Sequence, residues 1–352
     1  MKIKLYLCLI LALFISACSL TQPSIKRPST PVTTTTPPSS SAQQPVLSND
    51  KLAIIIPEKS IKSYSSIVIN ASLAYILRKD AKMNTEIFLI GSEDEQSIRA
   101  ALEKIKAKGV KFIIAAFTTR GVNFLNDYED FIFYIPTLHK NNTQIKASNV
   151  YFGGIDYKAQ VEKLSQQGSA KIASFYDDST LSSYLNSILS NYSARTYFVG
   201  GKKLNYISLL YSKGSLSGAS IFLNTPLTKS AIIASQLRVN NITPSAILAT
   251  QIAYNPILLS LTQPGDRKKM LIANSISNTD EYLSYLNESF EQSIDYNWVA
   301  YSTSIGVDFI YTSFIDKGAE RLFKEPMKDN QILYDIKLMK ALEFGFEEAN
   351  GL

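Results

Sequence analysis

His139 is the only histidine among the 352 residues, and both cysteines, Cys8 and Cys18, come before residue 20. A Ser-His-Asp relay would therefore have to run through His139, which lies in the polar stretch TLHKNNTQ and reads as an exposed loop residue. A Cys/His hydrolase or a His/Cys metal centre lacks its side chains. Asp177-Asp178 has the types for an acid/base pair or a metal ligand set, but adjacent carboxylates at a strand end read as a helix N-cap with its neighbour. The pairs Gly153-Gly154 and Gly200-Gly201 are too short to be nucleotide fingerprints, and no phosphate-cradling loop of Walker type occurs. No nucleophile–base pair is visible. The chemistry-bearing residues thus point to a non-catalytic protein with no cofactor and no metal.

The first fifty residues differ from the rest. Residues 1–17 carry Lys2 and Lys4, then an apolar run from Leu5 to Ile15 that has secretory-signal length and is short for a membrane span. The run ends in Ile15-Ser16-Ala17-Cys18, which is similar to a bacterial lipobox and implies cleavage before Cys18 and acylation of its thiol. Each buried methylene of such chains is worth about 0.8 kcal/mol. Ser19 follows in place of Asp, which resembles the outer-membrane sorting pattern, so the expected location is the cell envelope, on the outer membrane facing the periplasm. Residues 18–50 are dominated by Ser, Thr, Pro and Gln and read as a disordered tether. Such a segment could extend on the order of 100 Å. Four of the 36 basic and one of the 30 acidic side chains fall in these fifty residues, so the remainder has a net charge of +3. With no concentrated basic stripe, that small excess argues against nucleic acid.

From Lys51 onward, apolar runs alternate with amphipathic stretches. LAIII (52–56), IFLI (87–90), FIIAAF (112–117), FIFYI (131–135) and 150–153 read as strands. Helices are expected over 60–79 and after Ser92, where Ser92-Glu93-Asp94-Glu95 has capping-box spacing. The alternation restarts after Gly154. KIASFY (171–176), 196–199, 219–223, 246–249 and 270–273 read as strands, with helices near 159–167, 179–192, 227–239 and 255–262. A long helix is expected over 297–323, with its single tryptophan, Trp298, anchored in the core, and 331–346 partly alternates like strands. Continuous apolar strands between amphipathic helices imply an α/β fold with parallel sheets covered on both faces. Ten strands and the restart imply two lobes. The expected segments are 51–154 for the first lobe, 155–275 for the second, 276–325 for a return to the first, and 326–352 for C-terminal strands.

This order resembles the type I periplasmic-binding-protein fold, the group that includes branched-chain amino-acid receptors. LAIIIP looks like its first strand, KIASFYDDSTLSSYLNSIL like the opening of its second lobe, and ASIFLNTPLTKSAIIASQLRVNNI followed by ILATQIAYNP like its later strand–helix units. NWVAYSTSIGVDFIYTSFIDKGAERL looks like the helix returning to the first lobe. With its anchor, the chain is also similar to the lipoprotein activator of penicillin-binding proteins, although the large helical N-terminal domain of that activator has no counterpart here.

The resemblance implies a hinged cleft between lobes, with ligands where strand C-termini meet helix N-termini. The corresponding loops hold Thr118, Thr119, Arg120, Thr137, Tyr176, Asp177, Asn224, Thr225, Gln251 and Tyr254. These either bond a small solute or serve as caps and turn residues. AAFTTRGVNFL lacks the run of small residues that holds an α-carboxylate in the amino-acid receptors. Arg120 either replaces that function or is solvated on a helix. Tyr282, Tyr285, Tyr296 and Tyr301 cluster, as suits a partner surface, a cleft rim or the core. Two functions fit: binding of a small polar solute, or a scaffold or regulator that contacts an envelope protein machine.

Overall fold

The computed structural model describes residues 50–201, 210 and 214–349. The expected signal peptide, the acylated Cys18 and the tether lie outside the described residues.

Two seven-stranded sheets organise the body. The first contains β1 (Lys51–Pro57), β2 (Asn84–Ile90), β3 (Phe112–Ala115), β4 (Ile132–Ile135) and β5 (Val150–Phe152). The second contains β6 (Ile172–Tyr176), β7 (Arg195–Phe198), β8 (Ser220–Asn224), β9 (Ala246–Ala249) and β10 (Met270–Asn274). The chain then supplies β11 (Met327–Lys328) and β12 (Gln331–Ile332) to the first sheet, and β13 (Lys337–Ala341) and β14 (Phe346–Glu348) to the second. The first sheet runs β11-β12-β5-β4-β3-β1-β2 and the second β14-β13-β10-β9-β8-β6-β7, so the same order is used twice. Strands β1 to β5 pair in parallel, as do β6 to β10, while β13 joins β10 antiparallel and carries β14 as a hairpin.

The apolar runs become strands because both sheet faces are covered. In β1, Leu52, Ile54 and Ile56 enter one core with helices α1 (Tyr64–Lys79) and α7 (Trp298–Ile310), while Ala53 and Ile55 enter the opposite core with α2 (Glu95–Ala107). Residues 52–56 are all fully buried, and each such isoleucine is worth about 1.5–3 kcal/mol. The second sheet is sandwiched in the same way. One face carries α3 (Tyr157–Ser165) and α4 (Thr180–Leu189), and the other α5 (Leu227–Val239). Helix α6 (Glu281–Ser289) packs with α7 on α1, which returns the chain to the first lobe.

Two local expectations are corrected. The cap of α2 is Asp94, which accepts from Ser97 N at 2.8 Å, and the Ser92–Glu95 box does not form because the helix starts only at Glu95, leaving the Ser92 hydroxyl to donate to Asp94. The expected helix over 297–323 stops at Ile310, followed by a π turn over Tyr311–Ile315. The chain then folds back because fully buried Asp308 accepts Leu322 N at 2.9 Å, Arg321 Nε at 3.0 Å and the Tyr75 hydroxyl at 2.8 Å. A carboxylate in the core needs those donors, and two of them, Arg321 and Leu322, come from residues that the sequence pattern assigns to more helix.

The first crossing between lobes is fixed by close approach. A Cβ on Gly153 would lie 2.0 Å from Tyr134 Oη and 2.4 Å from Ser302 Oγ, so only glycine fits. Tyr334, on the last crossing, donates to Gly153 O at 2.5 Å.

Candidate functional site: the seam between the lobes

Three crossings, at 153–156, 275–280 and 333–336, join the sheets, and the strand-end loops face each other across the seam. In both sheets, adjacent strands on either side of β1/β3 and β6/β8 run to helices in opposite directions, which opens a crevice at the strand C-termini. Thr118 follows β3 there, and Asp177 and Asn224 sit at the ends of β6 and β8.

The sequence-predicted residues separate into two groups. Thr118, Thr119 and Arg120 are exposed. Thr118 caps the short helix after it by accepting Arg120 N at 3.3 Å, and its own N–H donates at 2.8 Å to Glu93, which is 2% exposed. Thr119 donates to Asn142 O at 3.1 Å and half-buried Thr137 to Phe117 O at 2.7 Å. Across the seam, the polar residues are committed within their own lobe. Asp177 takes Lys229 Nζ at 2.5 Å and Ser179 Oγ at 2.7 Å. Burial opposes its charge, but these donors outweigh that and hold its carboxyl below the usual range. Asn224 donates to Ser174 Oγ at 3.2 Å, and Thr225 pairs with Ser230 at 2.8 Å. Gln251 bridges Asn274 Oδ1 at 3.0 Å and Ser275 N at 2.6 Å. Tyr176 is half-buried, edge-on to Phe198 at 5.4 Å.

Tyr254 belongs to neither group. It lines a cavity of about 310 Å³ where the lobes meet, together with Lys337 and Glu348 of the second lobe, Asp295 and Tyr296 of the first, and Asn274 at the end of β10. Its ring lies 5.3 Å from Tyr296 and 4.8 Å from Phe346. Burial first, then Tyr296 and Asp295, push its phenol up to about 12. Lys337 and Glu348 pair at 3.2 Å on the rim, so the cavity presents both signs of charge.

His139 is not the exposed loop residue expected. Its side chain is 10% exposed, with Nε2 3.7 Å from Asp156 on the first crossing and Nδ1 accepting Asn141 N at 3.1 Å. Burial lowers its pKa, against the opposing charge of Asp156. Beside it, Tyr184 of α4 donates to Asn142 Oδ1 at 3.3 Å, a direct link between lobes. Trp298 is half-buried in the core as expected, edge-on to Tyr157 at 6.3 Å.

Sequence reasoning missed Asp295, Lys337 and Glu348, because nothing local marks them. They meet Tyr254 only through the C-terminal hairpin and the second crossing. Tyr296 stood in the tyrosine cluster without a position. Among the described residues, no group of three or more His, Cys, Asp or Glu could hold a metal ion, and no helix is long and apolar enough to cross a membrane.

This architecture is the two-lobed type I periplasmic-binding-protein-like fold, with mixed, mostly parallel sheets flanked by helices. Among solved structures it is similar to the leucine-binding protein LivK of Thermotoga maritima, at 13% identity and a TM-score of 0.56 over 85% of this chain and 97% of that one. It is similar to LivJ of Streptococcus pneumoniae, a branched-chain amino acid transporter substrate-binding protein solved with isoleucine, at 10% identity, TM-score 0.59, and 85% and 97% coverage. LpoA of Haemophilus influenzae matches at 10% identity and TM-score 0.58 over 88% of this chain, which spans 60% of that protein. No protein-family model matches the sequence, and no curated protein does. Both solute-binding proteins and LpoA thus share the fold.

Proposed function

We propose that this is a non-catalytic protein of the cell envelope, held to the outer membrane through lipid on Cys18 and facing the periplasm, that binds a small polar solute between its lobes. One observation carries this reading: the cavity at the seam is walled by both lobes and lined by Tyr254, Lys337, Asp295 and Glu348. A solute there would contact the two bodies at once, so its binding energy would favour lobe closure. Both charge signs suit a zwitterionic or dipolar molecule. Tyr254 would give it a ring to rest on. Thr118, Thr119, Arg120 and Thr137 of the first lobe and Tyr176 of the second lie outside the lining of this cavity and would meet the solute only if the lobes close on it. Asp177, Asn224, Thr225 and Gln251 would set the shape of their wall. The likeness to LivK and LivJ supports the reading at the level of fold.

Calorimetry of the purified protein against amino acids and other small polar solutes tests it. A saturable heat that Tyr254→Ala and Lys337→Ala each weaken about tenfold is the expected result, equivalent to about 1.4 kcal/mol. Flat titrations across the set would overturn the proposal.

A second reading, a protein-binding module of an envelope machine, is favoured by the β13–β14 hairpin. Phe344 at its tip is 90% exposed and Leu342 45%. The tip is braced by Arg267, itself 2% exposed, which donates to Leu342 O at 3.0 Å and Glu343 O at 3.2 Å. A fixed apolar tip suits a partner surface. The likeness to LpoA is compatible with it. Crosslinking in intact cells should recover a protein partner that Phe344→Ser loses, and identical recovery with and without the change would exclude this surface.

A further inference from the structure

The outer face of α6 carries a feature beside the seam cavity, with which it shares only Asn278 and Asp295. Tyr282 and Tyr285, three residues apart, are 55% and 61% exposed, and their rings lie nearly parallel, 12° between planes and 6.1 Å between centroids. The Arg78 guanidinium sits 5.9 Å from the Tyr282 ring, fixed by two bonds to Asp280 at 2.6 and 2.7 Å. The row is therefore guanidinium, ring, ring, held in place at its inner end. Tyr285 then forms one wall of a cavity of about 400 Å³. The rest of its lining is polar: Asn278, Thr279, Ser284, Glu281, Glu288 and Asp295. Asp295 is oriented by Thr279 and Ser284, whose hydroxyls both reach it.

We propose that this face binds a neutral oligosaccharide. Three features select that chemistry. The Tyr285 ring, stacked on Tyr282 and backed by Arg78, leaves one face for the cavity it walls, so the C–H face of a sugar unit can lie on it, and tyrosine contributes area at little entropy cost. The cavity beside them offers carboxylate and carbonyl acceptors with hydroxyl and amide donors, the complement of a polyol. No cation and no aliphatic side chain lines it, which disfavours anions and apolar ligands. Arg78 does not alter that balance, because its charge is matched by Asp280. A cationic ligand over the tyrosines and near Glu281 and Glu288 is the rival chemistry. It would explain the carboxylates, but not the extension of the aromatic row away from them.

The test titrates the full-length protein with the tetramer of N-acetylglucosamine, with cellotetraose, and with tetralysine. Saturable binding of at least one tetrasaccharide is expected, little changed by raising salt. Tyr282→Ala with Tyr285→Ala should weaken it about tenfold or more, while Tyr285→Trp should retain it, because the platform survives. Both positions are exposed, and an unchanged melting temperature checks that the fold is intact. Glu288→Gln should weaken it a few-fold. Tyr254→Ala, at the seam cavity, should leave it unaltered, which separates this site from the solute site. Absence of saturable binding by both sugars overturns the proposal, as does equal affinity in the double alanine variant. Salt-sensitive binding of tetralysine alone, lost in Glu281→Gln with Glu288→Gln, would assign the face to cations instead.

Discussion

At the end of β3, Thr118, Thr119 and Arg120 stand in solvent, whereas at the ends of β6, β8 and β9 the residues Asp177, Asn224, Thr225 and Gln251 are 3% exposed or less. The two walls have the same strand order and the same kind of polar residue at the strand ends. They differ in burial: the second-wall residues are enclosed together with their partners, while Thr118 and Thr119, bonded to Glu93 and Asn142, are themselves exposed. A buried amide or carboxylate with its donors satisfied gains little by turning to a ligand and loses much if it leaves them. The second wall is therefore largely a fixed shape, although buried Asn224 Oδ1 accepts no bond among the described residues, and the first holds its bonds where solvent or a ligand can compete for them. The buried polar hub of the first lobe lies elsewhere, at Asp308, ten residues along α7 from Trp298, or about 15 Å.

Substitutions can break or sharpen that contrast. The largest effect is expected for Asp308→Ala, which leaves Arg321, the Tyr75 hydroxyl and Leu322 N without their acceptor. It should cost about 3–5 kcal/mol in urea unfolding, the range for opening a buried charge pair. A loss under about 1 kcal/mol would show that the hub is not a hub. Next comes Gln251→Leu, which strands Ser275 N and one side of Asn274. About 2 kcal/mol should be lost, because a buried donor is left unmade. If stability is unchanged, the second wall is not fixed in the way described.

His139 gives a pH signature. Its folded pKa lies below the ordinary 6.5, so the unfolded chain binds the proton more readily. Stability should be full above about pH 6.5 and fall as pH drops from there through the lower folded value. His139→Gln should flatten that part of the melting curve between about pH 8 and about pH 5, and parallel curves would rule the effect out. The smallest changes are expected on the open wall. Thr119→Ala and Arg120→Ala should each stay within about 0.5 kcal/mol of the parent. A larger cost would mean that the exposed bond from Thr119 to Asn142 O is worth as much as the buried ones of the second wall.

The sheets were readable in the sequence because LAIII, FIIAAF and their counterparts are continuous apolar runs, a pattern that only strands covered on both faces sustain. The shared strand order was not readable, since register alone shows no repeat between the two halves. Pattern failed wherever a distant side chain decided a local outcome. Asp308 ended a helix whose apolar spacing continues, and Glu93, in a stretch read as a helix start, is buried against Thr118 of a later loop. The seam was half legible. Tyr254 stood out as a polar aromatic at a strand end, but Asp295, Lys337 and Glu348 approach it from segments 41 to 94 residues away in the chain. His139 looked solvated because its neighbours are polar, while the residue that encloses it, Asp156, comes from the first crossing.

Strands β11 to β14 have a consequence for the order of assembly. One short stretch, 327–348, lays two strands along each sheet, so neither lobe has its full complement until that stretch has arrived. An emerging chain would hold two incomplete sheets with bare margins at β5 and β10, both exposed to mispairing. The two halves are thus coupled in time as well as in space, and completion of either one waits on the same late residues.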